Sequence, residues 1–297
     1  MTTIADYDVD RLIGMRVGTS TILRELARGG MAIVFIAFQK TLKRQIAIKV
    51  LPKLLITEKS AELFQREAEA VAILSHPNII PVYEVGDTQD FLFITMQLIQ
   101  GNTLGQYMQF AQKNPIPSRR VLPLPASLRV MIQVLDALDY AHNQGIVHRD
   151  IKPGNIMIEK HSRRPLVTDF GIVQVLNGDS EAAKAVHGTP FYMAPEQILG
   201  QEVDGRADIY AAGTMLYQML VTDLPLPDFK KKTDLLKHKI LSRQGFFLKK
   251  PSEVNTTLDP EMDRIVAKAT AYDPQDRYAS GRDFLADLEQ FQRRHRL

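Results

Sequence analysis

Two short stretches of this chain carry side chains whose types and spacing could transfer a phosphoryl group. The loop from His148 to Asn155 holds Asp150, which can accept a hydroxyl proton, and Lys152, which can neutralise phosphate charge. Asn155 in the same loop and Asp169, which begins an Asp-Phe-Gly triplet fourteen residues later, offer the oxygen ligands that a hard cation such as Mg²⁺ prefers. An ordinary polar loop rarely has all of these residues in this order. The set therefore predicts a base and a cation site for phosphoryl transfer.

Composition limits the class of protein to which these residues belong. The 297 residues suffice for one large domain or two joined lobes, and 45% of them are hydrophobic, which supplies a sizeable core. The absence of cysteine excludes disulfides and thiolate metal sites and suits a reducing compartment. A formal net charge of +3 gives no basis for nucleic-acid binding. With no secretory signal and no run of about 18 apolar residues, we expect a cytoplasmic protein without a membrane segment.

The first third of the chain predicts a small antiparallel sheet with one helix. After a loose lead-in over 1–20, apolar runs at 21–26 and 33–38 flank a glycine-bearing tip and predict a β-hairpin. Glycine lets backbone amides approach a phosphate, but a simple hairpin turn explains the tip equally well. Strands at 45–51, 82–85 and 91–98 complete the sheet.

One strand of this predicted sheet contains a lysine, Lys49, among apolar residues. An unpaired ammonium is costly to bury, so Lys49 should have an anionic partner. Helical periodicity over 59–74 predicts a helix that points Glu67 inward, on the face of Leu63 and Val71. We therefore predict a buried Lys49–Glu67 ion pair in preference to a surface one.

Helices dominate after Gly101, where we place a domain boundary. Prolines predict a loop over 113–125, and the following helix should end at Gly145 and deliver the chain to the Asp150 loop. The nearly all-apolar stretch 207–220 predicts a helix buried on every side, in which Asp208 needs hydrogen-bond donors.

These motifs resemble the eukaryotic-like (Hanks-type) protein kinases and are most similar to the bacterial serine/threonine kinases. The resemblance covers about residues 15–295 and includes nearly the whole kinase signature set. It rests on the strand Ile46-Ala47-Ile48-Lys49, the helix residue Glu67, the loop from His148 to Asn155, the triplet Asp169-Phe170-Gly171, and the segments Gly188-Thr189-Pro190 and Ala194-Pro195-Glu196.

The resemblance implies an α+β fold of two lobes that form one kinase domain. The N-lobe, 21–100, would be a small antiparallel sheet with one helix, and the larger C-lobe, 101–297, would be mainly helical. It also implies an ion pair between Glu196 and Arg277, and an Asp208 carboxylate that accepts hydrogen bonds from the backbone of the catalytic loop. A stack of Val71, Val82, Phe170 and His148 would close the active state.

The resemblance also assigns roles to individual residues. Asp150 would act on the substrate hydroxyl, Lys152 would steady the moving phosphoryl group, and Asn155 and Asp169 would hold Mg²⁺, with Mn²⁺ as the alternative cation. Lys49, held by Glu67, would grip the inner phosphates of ATP. The ATP-contacting residues implied by the resemblance are Leu26, Ala27, Arg28, Gly29, Gly30, Met31, Ala32, Ile33, Val34, Ala47, Lys49, Glu67, Met96, Gln97, Ile99, Met157 and Asp169. Among these, Val34, Ala47 and Met157 would sandwich adenine, Met96 would be the gatekeeper, and Gln97 and Ile99 would meet the adenine edge.

The sequence departs from the family pattern at the glycine-bearing tip. The family reads Gly-x-Gly-x-x-Gly, whereas this chain has Ala27, Gly29 and Ala32. Two further departures are the absence of acids at Asn102 and Gly154, where some relatives carry them, and a longer 113–125 loop. That loop exposes two arginines and is better explained as solvated than as a docking surface.

Three functions compete on these observations. The first is a protein kinase that phosphorylates serine or threonine of protein substrates, itself included, and Lys152 with Gly-Thr-Pro favours it. The second is a nucleotide-binding pseudokinase scaffold, suggested by Ala27 and Ala32. The third is a small-molecule kinase, which the Ala-Pro-Glu segment disfavours. The cytoplasmic chain could be the kinase domain of a longer protein, and the sequence carries no signal for an oligomeric state.

Overall fold

The computed structural model describes residue 4 and residues 8–29, 32–170 and 190–297, which group into two compact units. The first unit takes the chain up to Ser75 and Ile79–Gln100, and the second takes His76–Asn78, Gly101–Phe170 and the residues from 190 onward. The segment His76–Asn78 lies inside the range predicted for the N-lobe, 21–100, and it groups with the second unit. The segment belongs to the second unit because Asn78 Nδ2 donates to Pro165 O and the Val167 amide donates to Asn78 O, both at 2.8 Å.

The first unit is an antiparallel sheet with one α-helix in its described part, as predicted. Its elements are β1 (Arg16–Val17), β2 (Ser20–Arg28), β3 (Ile33–Gln39), β4 (Arg44–Pro52), α1 (Glu58–Ala72), β5 (Val82–Asp87) and β6 (Phe91–Gln97). The strand order is β1-β2-β3-β4-β6-β5. This order places β4, the strand with the lysine, in the interior of the sheet between β3 and β6.

The two faces of this sheet bury different apolar clusters. Side chains alternate along a strand, so Ile46, Ile48 and Val50 lie on one face of β4 and join one cluster. The opposite face of the sheet carries a second cluster, to which α1 contributes Phe64 and Ala68. The fully buried residues of α1 are thus Ser60, Phe64, Ala68 and Val71. Of the predicted inward face, Val71 is among them, and Leu63 and Glu67 are half-buried.

The lead-in over 1–20 is not loose where the structure describes it. Residues Asp10–Leu12 form a 3₁₀ turn, and β1 pairs with β2, opposing Val17 to Ser20. Leu12 and Val17 are buried in the cluster that contains Phe35. A two-residue strand is too short to produce a recognisable alternation, so β1 could not be predicted from the pattern of residues.

The second unit is mainly helical. Its strands are β7 (Gly101–Thr103), β8 (Ile156–Glu159) and β9 (Pro165–Val167), and its α-helices are α2 (Leu104–Gln112), α3 (Leu124–Asn143), α4 (Pro195–Leu199), α5 (Gly205–Leu220), α6 (Lys232–Leu241), α7 (Pro251–Val254), α8 (Pro260–Ala269) and α9 (Gly281–His295). The strands form a separate antiparallel sheet in the order β7-β8-β9. Helix α5 packs against α3 and α8, and α3 also packs against α9. Together with the first unit, this architecture confirms the predicted α+β kinase fold.

Helix α3 ends as predicted but begins earlier. Pro125 lies in its first turn, where a proline has no helical hydrogen bond to lose, so the predicted 113–125 loop extends too far. At the other end Gly145 has a positive φ of 75°, its amide donates to His142 O, and the next amide donates to Ala141 O. This glycine-terminated cap turns the chain toward the loop from His148 to Asn155, the predicted catalytic loop.

Residues 117–143 include the one stretch of the described chain that is long and apolar enough to cross a membrane by length and composition. The expectation that no stretch qualifies therefore needs correction. Most of this stretch is α3, whose Leu128, Met131 and Leu135 are fully buried within the second unit. Packing against α5 and α9 accounts for its apolar composition without a membrane.

Candidate active site

The loop from His148 to Asn155 draws its three polar side chains together around one carboxylate oxygen. Lys152 Nζ lies 2.6 Å and Asn155 Nδ2 lies 3.0 Å from Oδ2 of Asp150, and Asn155 Nδ2 also donates to the Asp150 carbonyl at 2.8 Å. These contacts use Oδ2 of Asp150 and leave Oδ1 to accept a proton. They likewise use the amide nitrogen of Asn155 and leave its oxygen, Oδ1, for a cation.

His148 joins this loop to the strand that precedes Asp169. The ring nitrogen Nδ1 of His148 accepts from the Asp150 amide at 3.2 Å, so the other nitrogen, Nε2, carries the proton and donates to Thr168 O at 2.9 Å. The Thr168 amide in turn donates to Asn155 O at 2.9 Å. The ring of His148 also packs on Phe170, with centroids 4.6 Å apart. This network fixes the relative positions of Asp150, Asn155 and Asp169, which all lie in the second unit.

Asp208, near the N-terminus of α5, anchors the backbone of the catalytic loop. Its Oδ2 accepts from the His148 amide and from His142 Nε2, and its Oδ1 accepts from the Arg149 amide, each at 2.8 Å. Burial disfavours the ionised carboxylate, but the hydrogen bonds that it accepts from His142 and from the His148 amide outweigh burial and lower the pKa of Asp208. The predicted buried acid with backbone donors is therefore confirmed.

Two non-glycine residues of the site have left-handed backbone: Arg149 with φ 63° and Asp169 with φ 58°. Such conformations persist where surrounding contacts hold them. At Arg149 the amide is held by Asp208, and the carbonyl accepts from Gln197 Nε2 at 2.9 Å. The strained backbone thereby orients the side chain of the next residue, Asp150.

Helix α4 is tied to the rest of the second unit by a buried ion pair. The guanidinium of Arg277 donates to both carboxylate oxygens of Glu196, at 2.7 and 2.8 Å, and also to backbone carbonyls including Arg206 O. Both residues are almost fully buried. A bidentate pair with its remaining donors satisfied is the geometry in which a buried salt bridge is stable. The Glu196–Arg277 pair that the family resemblance implied is confirmed.

In the first unit, strand register brings five of the predicted nucleotide residues to one face of the sheet. Val34 of β3 opposes Lys49 of β4, and Ala47 of β4 opposes Met96 of β6. Opposed residues share a face, and Ala47 and Lys49 share one because they are two apart. Ala27 opposes Val34 and so extends the same row. Residues separated by up to 69 positions in sequence thus form one surface.

The side chains of Lys49, on this face of the sheet, and Glu67, on α1, are both shielded from solvent. Lys49 is buried, and so is the carboxylate oxygen Oε2 of Glu67 on α1. The inward orientation predicted for Glu67 agrees with that burial. The Lys49–Glu67 ion pair itself stays a prediction.

The glycine-bearing tip is partly outside the described residues, since Gly30 and Met31 are not described. On either side of them, the Gly29 amide donates to Ala32 O at 2.9 Å, which closes the hairpin. Among the residues that the structure describes, Ala27 and Ala32 are not among the non-glycine residues with positive φ. Alanine is therefore accommodated without backbone strain at both positions where the family has glycine.

This fold and this site define the class of protein: the chain belongs to the protein kinase family, whose domain model matches residues 20–287. Among curated relatives, the serine/threonine-protein kinase pkn3 of Myxococcus xanthus is 35% identical over 95% of this chain and 52% of its own length. The tyrosine-protein kinase MasK of Myxococcus xanthus is 36% identical over 94% of this chain and 44% of its own length. The chain thus spans about half the length of these relatives.

A solved structure supports the same family. The kinase domain of Mycobacterium tuberculosis PknI has a TM-score of 0.72 and 29% sequence identity, covering 94% of this chain and 98% of that one. Membership of the family implies use of ATP and a divalent cation.

Sequence reasoning missed several residues that shape the site. The loop from His148 to Asn155 and its anchor Asp208 are bound by Thr168, His142 and Gln197. Of these three, only Thr168 could have been found from the sequence, because it directly precedes Asp169. Lys239 was also missed, although helical spacing puts it on the same side as Leu235 and Leu236. The predicted residues Gly171, Gly188 and Thr189 lie outside the described residues.

Proposed function

We propose that this chain is a serine/threonine protein kinase domain that transfers the γ-phosphoryl group of ATP to hydroxyls of protein substrates, itself included. The observation that carries the proposal is the clustering of Lys152 and Asn155 on one oxygen of Asp150. That arrangement leaves a carboxylate oxygen for a hydroxyl proton and a lysine beside it for the phosphoryl charge. We place the domain in the cytoplasm, where ATP is available.

In the proposed reaction, Asp150 orients the acceptor hydroxyl and takes up its proton at Oδ1. The hydroxyl oxygen forms a bond to the γ-phosphorus while the bond to the β-phosphate oxygen breaks, which releases ADP. Lys152, held 2.6 Å from Asp150, neutralises charge on the transferred group. Because little covalent chemistry falls to the protein, positioning and electrostatics supply most of the acceleration.

The donor set of the second unit fits a magnesium ion. Asn155 offers an amide oxygen and Asp169 a carboxylate, and hard cations take such oxygen ligands. Bound Mg²⁺ would neutralise phosphate charge, and Mn²⁺, which accepts the same oxygen donors, is the alternative. We assign Asn155 and Asp169 as its protein ligands.

The proposed ATP-binding residues of the first unit are those of the Lys49 face. Val34, Ala47 and Met96 give this face an apolar surface for adenine, and Lys49 supplies a cation for the inner phosphates. The buried position of Lys49 supports this role, since a buried ammonium needs anionic partners. Gln97 and Ile99, which follow on the same strand and its extension, are proposed to meet the adenine edge through their backbone.

The experiment that tests the proposal incubates the chain with labelled ATP and Mg²⁺, alone and with a generic protein acceptor, followed by phosphoamino-acid analysis. We expect label on serine and threonine. Label on tyrosine would instead favour the activity named for MasK. Nucleotide binding without transfer would favour the pseudokinase, which the intact Asp150, Lys152 and Asn155 cluster disfavours.

A further inference from the structure

Helix α6 contains a lysine that points away from solvent. Lys239 is 1% exposed, whereas Lys237, two residues earlier on the same helix, is exposed. The ammonium of Lys239 donates to three backbone carbonyls: Phe191 O at 2.5 Å, Met193 O at 2.6 Å and Pro190 O at 3.4 Å. An ammonium has three N–H donors, and here each has one acceptor.

Aromatic rings complete the surroundings of this ammonium. The Lys239 nitrogen lies 4.5 Å from the ring centroid of Phe246 and 4.8 Å from that of Tyr210. Ring faces and carbonyl oxygens both stabilise a cation, while burial and the charge of nearby Arg277 hold the pKa of Lys239 well below its usual range. The carboxylate of Glu196 opposes this lowering of the pKa. Burying the Lys239 ammonium has an electrostatic cost, so its position indicates a role other than general stability.

The carbonyls that Lys239 holds belong to a segment beside the catalytic aspartate. Tyr192 and Met193 line the same small cavity as Asp150. Gln197, at the start of α4, donates to the carbonyl of the residue before Asp150. Tyr192 and Met193 therefore lie beside Asp150, the residue that an acceptor hydroxyl reaches in the proposed reaction.

We propose that Lys239 is a positioning residue for the protein acceptor: by binding the carbonyls of Pro190, Phe191 and Met193, it sets the path of residues 190–193 against which the acceptor chain lies. The inference rests on the proposed kinase function. Lys239 touches neither nucleotide nor the reacting atoms, so it acts through the segment that it holds.

This role predicts an unequal effect on the two substrates. Lys239→Met keeps the apolar stem and its packing but removes all three donors. We expect the KM for a protein acceptor to rise at least ten-fold, while the KM for ATP changes less than three-fold. Lys237→Met is the matched control on the same helix and should leave both values unchanged, and Lys239→Arg, which restores cationic donors, should recover part of the acceptor KM.

Hydrogen exchange gives a readout that does not require activity. In Lys239→Met, peptides that contain residues 190–199 should exchange at least ten-fold faster, whereas those of α3 and α9 should exchange at the wild-type rate. If Lys239→Met does not fold, Lys239→Gln, which keeps a shorter donor, replaces it with the same expected directions.

The outcomes separate this inference from the proposed function. A wild-type chain that transfers no phosphate defeats the proposed function, yet the exchange measurement still tests whether Lys239 holds the segment. Wild-type activity with an unchanged acceptor KM and unchanged exchange in Lys239→Met overturns the inference alone. Equal rises in both KM values, with faster exchange throughout the second unit, would make Lys239 a purely structural residue and also overturn it.

Discussion

At the scale of single residues, the site depends on which atom of each side chain is already engaged. Asn155 and Lys152 both converge on Oδ2 of Asp150, and His148 is fixed as the tautomer that accepts through Nδ1 and donates through Nε2. The sequence predicts these residue types but not these assignments. We propose that two carboxylates divide the work: Asp150 acts on the hydroxyl and Asp169 acts on the cation.

That division predicts different defects for two conservative variants. Asp150→Asn should leave ATP affinity within about two-fold and lower kcat by roughly 10²–10⁴-fold, the usual contribution of a positioned acid–base group. Asp169→Asn should weaken Mg²⁺-dependent ATP binding itself. Nucleotide titration and initial rates on both variants make the comparison, and equal losses of ATP affinity in the two would contradict the division of roles.

Asp208 predicts a dependence of stability on acidity. Because the pKa of Asp208 is lower in the folded chain than its ordinary value of 3.8, its contribution to folding is fully present above that value and is lost as pH falls through the lowered pKa. Asp208→Asn should therefore reduce the free energy of unfolding at neutral pH, by about 3–5 kcal/mol for a disrupted buried network. It should also flatten the decline in that free energy below pH 4.

Denaturant unfolding at several pH values between 2.5 and 7 measures both effects. Asp223→Asn, at an exposed acid of the same unit, is the control and should keep the wild-type pH dependence. A variant at Asp208 that retains the full acid-induced loss would show that other groups cause it.

At the scale of elements, the β2–β3 hairpin explains how this chain tolerates two alanines at its glycine-bearing tip. Ala27 lies inside β2 and pairs with Val34, and the hairpin closes through the Gly29 amide and Ala32 O. Neither alanine has a positive φ. The pairing of β2 with β3 therefore holds the backbone in a conformation that alanine can adopt at both positions where the family has glycine.

Restoring the family pattern should accordingly change little. In the double variant Ala27→Gly/Ala32→Gly we expect ATP affinity to rise by no more than about three-fold or to stay the same, because each methyl removed relieves no strain. Glycine costs roughly 0.5–1 kcal/mol of strand stability relative to alanine, so the melting temperature should fall slightly. Isothermal titration with a nucleotide and a thermal melt test this, and a collapse of phosphoryl transfer would mean that the alanines hold a required loop shape.

At the scale of the whole molecule, the chain has the catalytic-loop residues of the kinase family. Its segment between Gly171 and Gly188, however, contains few hydroxyls whose phosphorylation could regulate activity. Arg149 precedes the catalytic aspartate, and kinases with this arginine often use it to bind a phosphate. Between Gly171 and Gly188 the sequence contains Ser180 as its only hydroxyl, eight residues before Gly188. A carboxylate from Asp179 or Glu181 could pair with the arginine, though with less charge than a phosphate. These residues other than Arg149 lie outside the described part of the structure.

We therefore predict that the activity depends only weakly on phosphorylation of this segment. Phosphatase-treated enzyme and Ser180→Ala should each retain initial rates on an external protein acceptor within several-fold of the untreated enzyme. A ten-fold drop, about 1.4 kcal/mol in activation free energy, after either treatment would identify Ser180 as a switch instead.

The sequence by itself determined the kinase family, the strands and helices with strong periodicity, and the residue types of the catalytic loop. It did so because adjacent residues such as Asp150, Lys152 and Asn155 must share a loop, and because Gly145 after an apolar helix signals a cap. It carried no sign of β1, which is too short, or of the packing of His76–Asn78 against β9, which is distant in sequence. Only the tertiary structure revealed the left-handed Arg149 and the buried Lys239. The physical reason is that both are stabilised by groups remote in sequence: Arg149 by Asp208, and Lys239 by the carbonyls of residues 190–193. Contacts of that kind leave no local pattern along the chain.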